Sequence, residues 1–397
     1  MPLAKMPDNA EKVSRESTRK IALIHQAHPQ AGGAATYESN LSELVREISL
    51  GSKAIVLEFS PPHSESRGRK RGDSLTTEFT YQYSSGFLQL LHILLLAIPF
   101  ARTFMSLLGF GTTKLERHLK QLGVNLAYFS SPNPLALGLH DIPIVSTVWD
   151  LGHRDLPKFS EFSSKGRWLA REFYYRKTVL MSAKIVTDSI ATGRKLEKIY
   201  GLLPEKWVPL GLLPKVTEPS TNLDILPKTN YIIYPAQKWR HKNHEVLYKA
   251  LQLLREEGQE VVLVETGSDK GYADSLRKLA KDLKVEDLVL DLGFVEASDL
   301  ALLIKSSRAL VMPSLLGPTN LPPLEAVAMG VPAIVSDIHE FDGDLMACFT
   351  VTRADSPSDW AAAIKDAVLR QNEARLPLVF DSANAAKVLE TIICNED

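Results

Sequence analysis

Residues 313–337 read PSLLGPTNLPPLEAVAMGVPAIVSD, and they decide the fold. The apolar run ALVM at 309–312 precedes them, so the order is buried strand, Gly/Pro/Asn loop, helix, Gly330, then a second buried strand, AIVS, at 333–336. Short continuous apolar runs of this kind belong to strands covered on both faces, as in a parallel α/β sheet. Unpaired backbone N–H groups at the start of the helix, reinforced by its dipole, make an anion site. Glu325, one turn inside that helix, is placed to accept hydrogen bonds from vicinal hydroxyls. Phosphate at one end and a sugar ring at the other describe a nucleotide.

A second segment, residues 231–254, YIIYPAQKWRHKNHEVLYKALQLL, points to the same ligand. It reads as an apolar strand, a loop bearing Lys238, Arg240 and Lys242, and a helix from about Asn243 with Val246, Leu247, Ala250, Leu251 and Leu254 on one face. Cations at a strand-to-helix turn favour a polyphosphate.

The alternation runs through the C-terminal half. Strands are expected at 231–234, 260–265, 288–292, 309–312 and 333–336, and helices at 243–256, 273–283, 298–305, 323–329 and 358–369. The N-terminal half is less regular, with strands at 20–25, 53–59, 124–129, 144–148 and 184–187 and helices at 37–48, 168–181 and 192–200. Pro214, Pro219 and Pro227 mark 213–229 as a linker between domains 20–212 and 230–397, after a polar tail at 1–19. Two such sheets facing each other enclose a cleft at the carboxyl ends of their strands.

The chain has 397 residues, 45% apolar and 23% charged, with a formal net charge of −1. That length exceeds what one core usually holds, and the neutral balance argues against a nucleic-acid footprint. Cys348 and Cys394 are far apart and lack metal-ligand spacing, so neither a disulfide framework nor a zinc site is expected, and the cytoplasm is the expected compartment. The tail has no apolar core of a secretion signal. The basic run Arg67, Arg69, Lys70, Arg71 followed by the apolar stretch 87–110 is too interrupted to span a bilayer. It could instead be a core helix beside a solvated charge run, or lie peripherally on an anionic inner leaflet.

The chain resembles glycosyltransferase family 4, sugar-nucleotide-dependent enzymes with the GT-B fold of two Rossmann-like domains. The resemblance rests on Gly32-Gly33, TVWDLGH at 147–153, PAQKWRHKNH at 235–244, ETGS at 265–268, LGFV at 292–295 and, above all, the 313–337 block. It implies retaining, metal-independent transfer of a hexosyl or deoxyhexosyl unit, such as mannosyl, from a nucleoside-diphosphate sugar to a polysaccharide or lipid-linked glycan. Lys242 matches the phosphate-binding lysine, and Gln237 stands where an arginine usually assists it. Glu325 matches the ribose-binding second glutamate of the E-x7-E element, with Thr319, Asn320 and Leu321 on its glycine-rich loop. Backbone groups of Phe294 and Val295 meet the base, Gly267 and Ser268 line the neighbouring turn, and Gly32 and Gly33 form the first turn of the donor site.

Two positions depart from the family. Gly317 occupies the place of the first glutamate, which contacts the donated sugar. Trp149-Asp150 replaces a frequent His-Asp pair, leaving Asp150 and the nearby His153 as the catalytic expectations beside Lys242. A catalytically silent sugar-nucleotide-binding protein and a GT-B-type epimerase or phosphorylase remain alternatives.

Overall fold

A computed structural model describes residues 19–26, 33–51, 54–60, 76–80, 91, 95, 98–108, 111–211, 216–317, 320–339, 343–370 and 382–394. Gly32 and Thr319, the basic run at 67–71 and, within the apolar stretch 87–110, residues 87–90, 92–94, 96, 97, 109 and 110 lie outside them.

The first lobe runs β1 (Lys20–Ile24), α1 (Gly33–Gly51), β2 (Ile55–Ser60), β3 (Thr76–Thr80), α2 (Pro99–Leu107), α3 (Lys114–Gln121), β4 (Leu126–Phe129), β5 (Ile144–Val148), α4 (Gly152–Asp155), α5 (Ser160–Ser163), α6 (Arg167–Met181), β6 (Lys184–Thr187), α7 (Ile190–Tyr200) and β7 (Trp207–Pro209). The second runs β8 (Tyr231–Pro235), α8 (His244–Glu256), β9 (Val262–Thr266), α9 (Ala273–Asp282), β10 (Val289–Asp291), α10 (Ala297–Ser306), β11 (Ala309–Met312), α11 (Leu321–Ala328), β12 (Ala333–Ser336), β13 (Thr350–Thr352) and α12 (Pro357–Arg370), and the chain closes with α13 (Ser382–Cys394).

Each lobe carries one sheet, ordered β3-β2-β1-β4-β5-β6-β7 in the first and β10-β9-β8-β11-β12-β13 in the second. Every strand pair described is parallel. In both lobes the order reverses beside the first strand, between β1 and β4 and between β8 and β11, which is where parallel sheets open a ligand crevice. The continuous apolar runs of β4, β5, β11 and β12 are buried along their whole length, as strands covered on both faces should be.

The elements missed by the sequence pattern include β3, β7, β13 and α3, together with the short helices α4 and α5 and the final helix α13. Strand β3 (TTEFT) is polar and sits at a sheet edge, and β7 and β13 are three residues each at the opposite edges, so none offers the apolar run that marks a buried strand. Helix α3 (KLERHLKQ) is mostly charged and is fixed by its ends. Thr113 Oγ1 accepts from Glu116 N at 3.1 Å, and Glu116 Oε1 accepts from His140 N and Asp141 N at 2.7 Å each. Helix α11 begins two residues earlier than expected because Pro322 and Pro323 fall in its first turn, where no N–H is needed.

The final helix departs from the expected 230–397 domain. Ala385, Leu389, Ile392 and Ile393 of α13 join the apolar cluster of Ile21, Tyr37, Leu41 and Val45, and Arg19 donates to Ile393 O at 3.0 Å. The chain therefore returns to pack on α1 of the first lobe. Leu321, at the start of α11, packs against the same cluster, so the two lobes share apolar contact close to the cleft.

Candidate functional site

The loop after β8 is built to hold one lysine. Asn243 takes a left-handed conformation (φ 57°) that breaks the chain between a short turn and α8, and its side-chain amide donates to Pro313 O at 3.1 Å and Ala354 O at 2.8 Å. Tyr234 Oη donates to Lys242 O at 2.6 Å. These contacts tie the loop to the segment after β11 and fix the Lys242 main chain. Its side chain runs to Ser314 Oγ and Asn320 Oδ1, each 3.4 Å from Nζ. Among the described residues no carboxylate forms an ion pair with it. Burial pushes the ammonium down to about 8, opposed by the charge of Asp150 across the cleft. Such a group is completed by an anion.

Of the other loop cations, Lys238 is already spent: it is buried, and Nζ donates to Asp291 Oδ1 at 2.7 Å and Gly267 O at 3.3 Å. Arg240 lies over the Tyr272 ring at 5.1 Å. Gln237 Oε1 accepts from Trp239 Nε1 at 3.1 Å. Gly267 has φ 106°, and a Cβ there would stand 2.6 Å from Ala236 O. The backbone just before Gln237 therefore crosses directly over this glycine, and Ser268 O accepts from Lys238 N at 3.2 Å.

Asn320 caps α11, and Glu325 follows in the second turn. Burial alone lifts the Glu325 carboxyl to about 7. Phe294 and Val295 follow β10, with the Phe294 ring half exposed. Lys242, Gly267, Ser268, Phe294, Val295, Asn320, Leu321 and Glu325 thus lie around the carboxyl ends of β8, β9, β10 and β11. Gly317 keeps the place of the absent glutamate in a left-handed conformation (φ 91°), its carbonyl accepting from Asn320 Nδ2 at 2.8 Å.

In the first lobe Asp150 does two things. Its Oδ1 accepts from Gly152 N at 2.7 Å, closing the turn after β5, and its charge acts on Lys242. His153 is not brought to this group. Its buried ring stacks on Tyr175 at 5.3 Å, and Nε2 is 3.2 Å from Glu172 Oε2, a carboxylate that also takes Arg154, Arg176 and Tyr200. The catalytic expectation for His153 gives way to a packing one, because the helix α4 turns the ring inward against α6. Trp149 packs edge-on against Tyr37 at 5.7 Å. Gly33 opens α1, and a Cβ there would meet open space.

Sequence reasoning missed Glu161, His241, Ser314 and His339. Glu161 of α5 reaches across the cleft, where Oε1 accepts from His241 N at 3.2 Å and lies 3.1 Å from His241 Nδ1. Burial holds that imidazole down at about 4. The neighbouring Phe162 ring lies 5.3 Å from His241, and a Cβ on Gly152 would meet Leu316 Cδ2 at 2.6 Å. Beside this bridge a crevice of about 170 Å³ is lined from the first lobe by Ser164 and Arg167 and from the second by Trp239, Arg240, Lys270 and Tyr272. Among the described residues no group of His, Cys, Asp and Glu side chains is arranged to hold a metal ion.

Residues 218–376 match the family described as Glycosyl transferases group 1. The O-antigen chain mannosyltransferase RfbU of Salmonella typhimurium is 28% identical over 222 residues, covering 53% of this chain and 61% of RfbU. The chain thus spans less than two thirds of that curated relative. Among solved structures, sucrose-phosphate synthase from Thermosynechococcus elongatus superposes with a TM-score of 0.68 at 15% identity, covering 94% of this chain and 98% of that one. WaaG, a glycosyltransferase involved in lipopolysaccharide biosynthesis, gives 0.63 at 15% identity, with 94% and 100% covered.

The crossing at Gly267 yields a test. Gly267→Ala combines a positive φ with a Cβ driven into the backbone before Gln237, so it should cost more than about 1 kcal/mol of stability and displace the Lys242 loop. Chemical unfolding of the variant is expected to show a lowered midpoint with an unchanged slope, and an unaltered midpoint would contradict the close crossing.

Proposed function

We propose, taking as premise that the chain is a glycosyl transferases group 1 protein with the GT-B fold, that it moves a hexosyl unit from a nucleoside-diphosphate sugar to a glycan. The observation that carries this is Lys242, which among the described residues pairs with no carboxylate, beside the α11 N-terminus whose second turn bears Glu325. The anomeric C–O bond to diphosphate breaks as negative charge gathers on the leaving group. Lys242 and the helix N–H groups neutralise that charge in place, with no reorganisation at the moment of reaction. Retention follows if the departing phosphate oxygen takes the acceptor proton on the same face, a step that calls on no protein nucleophile. Asp150, facing Lys242 across the cleft, then orients an acceptor or sugar hydroxyl. In this scheme the protein's own cation does the neutralising, and we infer that no metal is required.

Mannosyl or a related unit is the favoured cargo, and a polysaccharide under construction the favoured acceptor, because RfbU extends an O-antigen chain. A lipid-linked acceptor is supported by α2, where Phe100, Phe104 and Leu107 are exposed along one face with Arg102 on the same helix. No helix among the described residues is long and apolar enough to cross a membrane, so the contact would be peripheral, at the cytoplasmic face. A second reading, donor binding without transfer, is favoured by Gly317, which offers no side chain to the donated sugar.

Four outcomes are expected. In a thermal-shift panel of UDP-, GDP- and dTDP-sugars, one donor at 100 times its Kd should add about 2.7 kcal/mol of stability, and silence across the panel would overturn the proposal. That donor should be turned over to free nucleoside diphosphate, and Lys242→Ala should cut the rate about 10²-fold; binding without turnover would select the second reading. The pH profile of kcat/KM should rise through about 7 as Glu325 ionises and fall through about 8 as Lys242 loses its proton. Lys242→Arg should remove the alkaline fall, since a guanidinium stays charged, and a flat profile across this range would contradict both roles. Co-sedimentation with anionic vesicles should be lost in Phe100→Asp, and equal sedimentation would remove α2 from the membrane contact.

A further inference from the structure

Three side chains behind Lys242, Ser336, His339 and Asn320, form a chain of hydrogen bonds whose directions follow from one another. Ser336 Oγ donates to Ser314 O at 2.7 Å, so its proton is committed. His339 Nδ1 lies 3.0 Å from both Ser336 O and Ser336 Oγ, and the carbonyl can only accept. Nδ1 therefore carries the proton, and Nε2 presents a lone pair. Asn320 Nδ2 stands 2.8 Å from that Nε2 and 2.8 Å from Gly317 O. Both acceptors need the NH2 end of the amide, which leaves Oδ1 turned toward Lys242 Nζ at 3.4 Å. Two independent constraints, the Gly317 carbonyl and the imidazole tautomer set by Ser336, give the same orientation. His339 is 2% exposed, and burial keeps it neutral, so the acceptor at Nε2 persists at physiological pH.

We infer that His339 is a positioning residue of the diphosphate grip: its Nε2 orients the Asn320 amide, whose Oδ1 aims the Lys242 ammonium at the leaving group. This rests on the role proposed above for Lys242. The arrangement also gives Asn320 and Gly317 a joint purpose. Gly317, in its left-handed conformation, presents its backbone carbonyl to lock the amide, and the amide oxygen is turned to the lysine. His339 touches neither substrate nor reacting atoms; it acts through Asn320.

The test uses the full-length protein with UDP and GDP as probes, each paired with its nucleoside, since only the diphosphate engages Lys242. His339→Ala should weaken the bound diphosphate about tenfold, the scale of one hydrogen bond to a charged group, while nucleoside affinity is unchanged. His339→Gln should restore binding, because Gln Oε1 can stand where Nε2 stood, whereas His339→Asn, which reaches only the Nδ1 position, should not. Asn320→Ala should match the loss, and the double variant with His339→Ala should be no worse than either alone. Thermal midpoints and near-UV circular dichroism identify variants that fail to fold, and the Asn320 variant carries the test if His339→Ala is among them. Equal losses for nucleoside and diphosphate, additive losses in the double variant, or a His339→Gln variant as weak as His339→Asn would overturn the inference alone. A wild-type protein that binds neither diphosphate would overturn it together with the role of Lys242.

Discussion

An ammonium that among the described residues meets only neutral oxygens, that of the half-buried Lys242, sets the requirement that the surrounding structure meets. Removing a cation from water is costly unless something of opposite charge accompanies it. Here the near atoms are a serine hydroxyl and an amide carbonyl, and the nearest acting charge, Asp150, belongs to the other lobe. The parts that hold this costly arrangement are rigid. Tyr234 grips the lysine main chain, Asn243 ties it to the β11 and β13 loops, and Gly267 lets the preceding backbone cross without a side chain in the way. Glu325, raised by burial toward neutrality, is held under the same kind of tension one helix away.

The second lobe does not carry the site alone. Glu161 and Phe162 engage His241, the residue next to Lys242, while Gly152 admits Leu316 from the loop after β11. Any rotation of one lobe against the other must therefore move or release the phosphate loop. Leu321 and the returning helix α13 both pack on the apolar cluster of Ile21, Leu41 and Val45 in the first lobe.

Much of this was legible in the sequence because it depends on local order. Strands such as ALVM and AIVS declare their burial by composition, and the loop-helix junction at Asn320 to Glu325 declares its ligand by spacing. Lys242 was legible as a candidate, but its neighbours misled: Lys238, three residues past the end of β8, looked as available as Lys242 and is instead paired with Asp291. His153 failed for a related reason, since only the direction of α4 decides whether its ring faces the cleft or α6. Glu161 and His339 were illegible because their partners are 80 and 19 residues away, His241 and Asn320. A polar residue just past a buried strand, as His339 is, was the one signal that pointed to it.

If Lys242 and Glu325 grip opposite ends of one nucleotide, a crystal structure of the protein with its nucleoside diphosphate will show it. A phosphate oxygen is expected about 2.8 Å from Lys242 Nζ, as in other charge-assisted pairs, with the ribose hydroxyls on the Glu325 carboxylate. A diphosphate bound with Lys242 still facing only Ser314 and Asn320, or a ribose held away from α11, would contradict it.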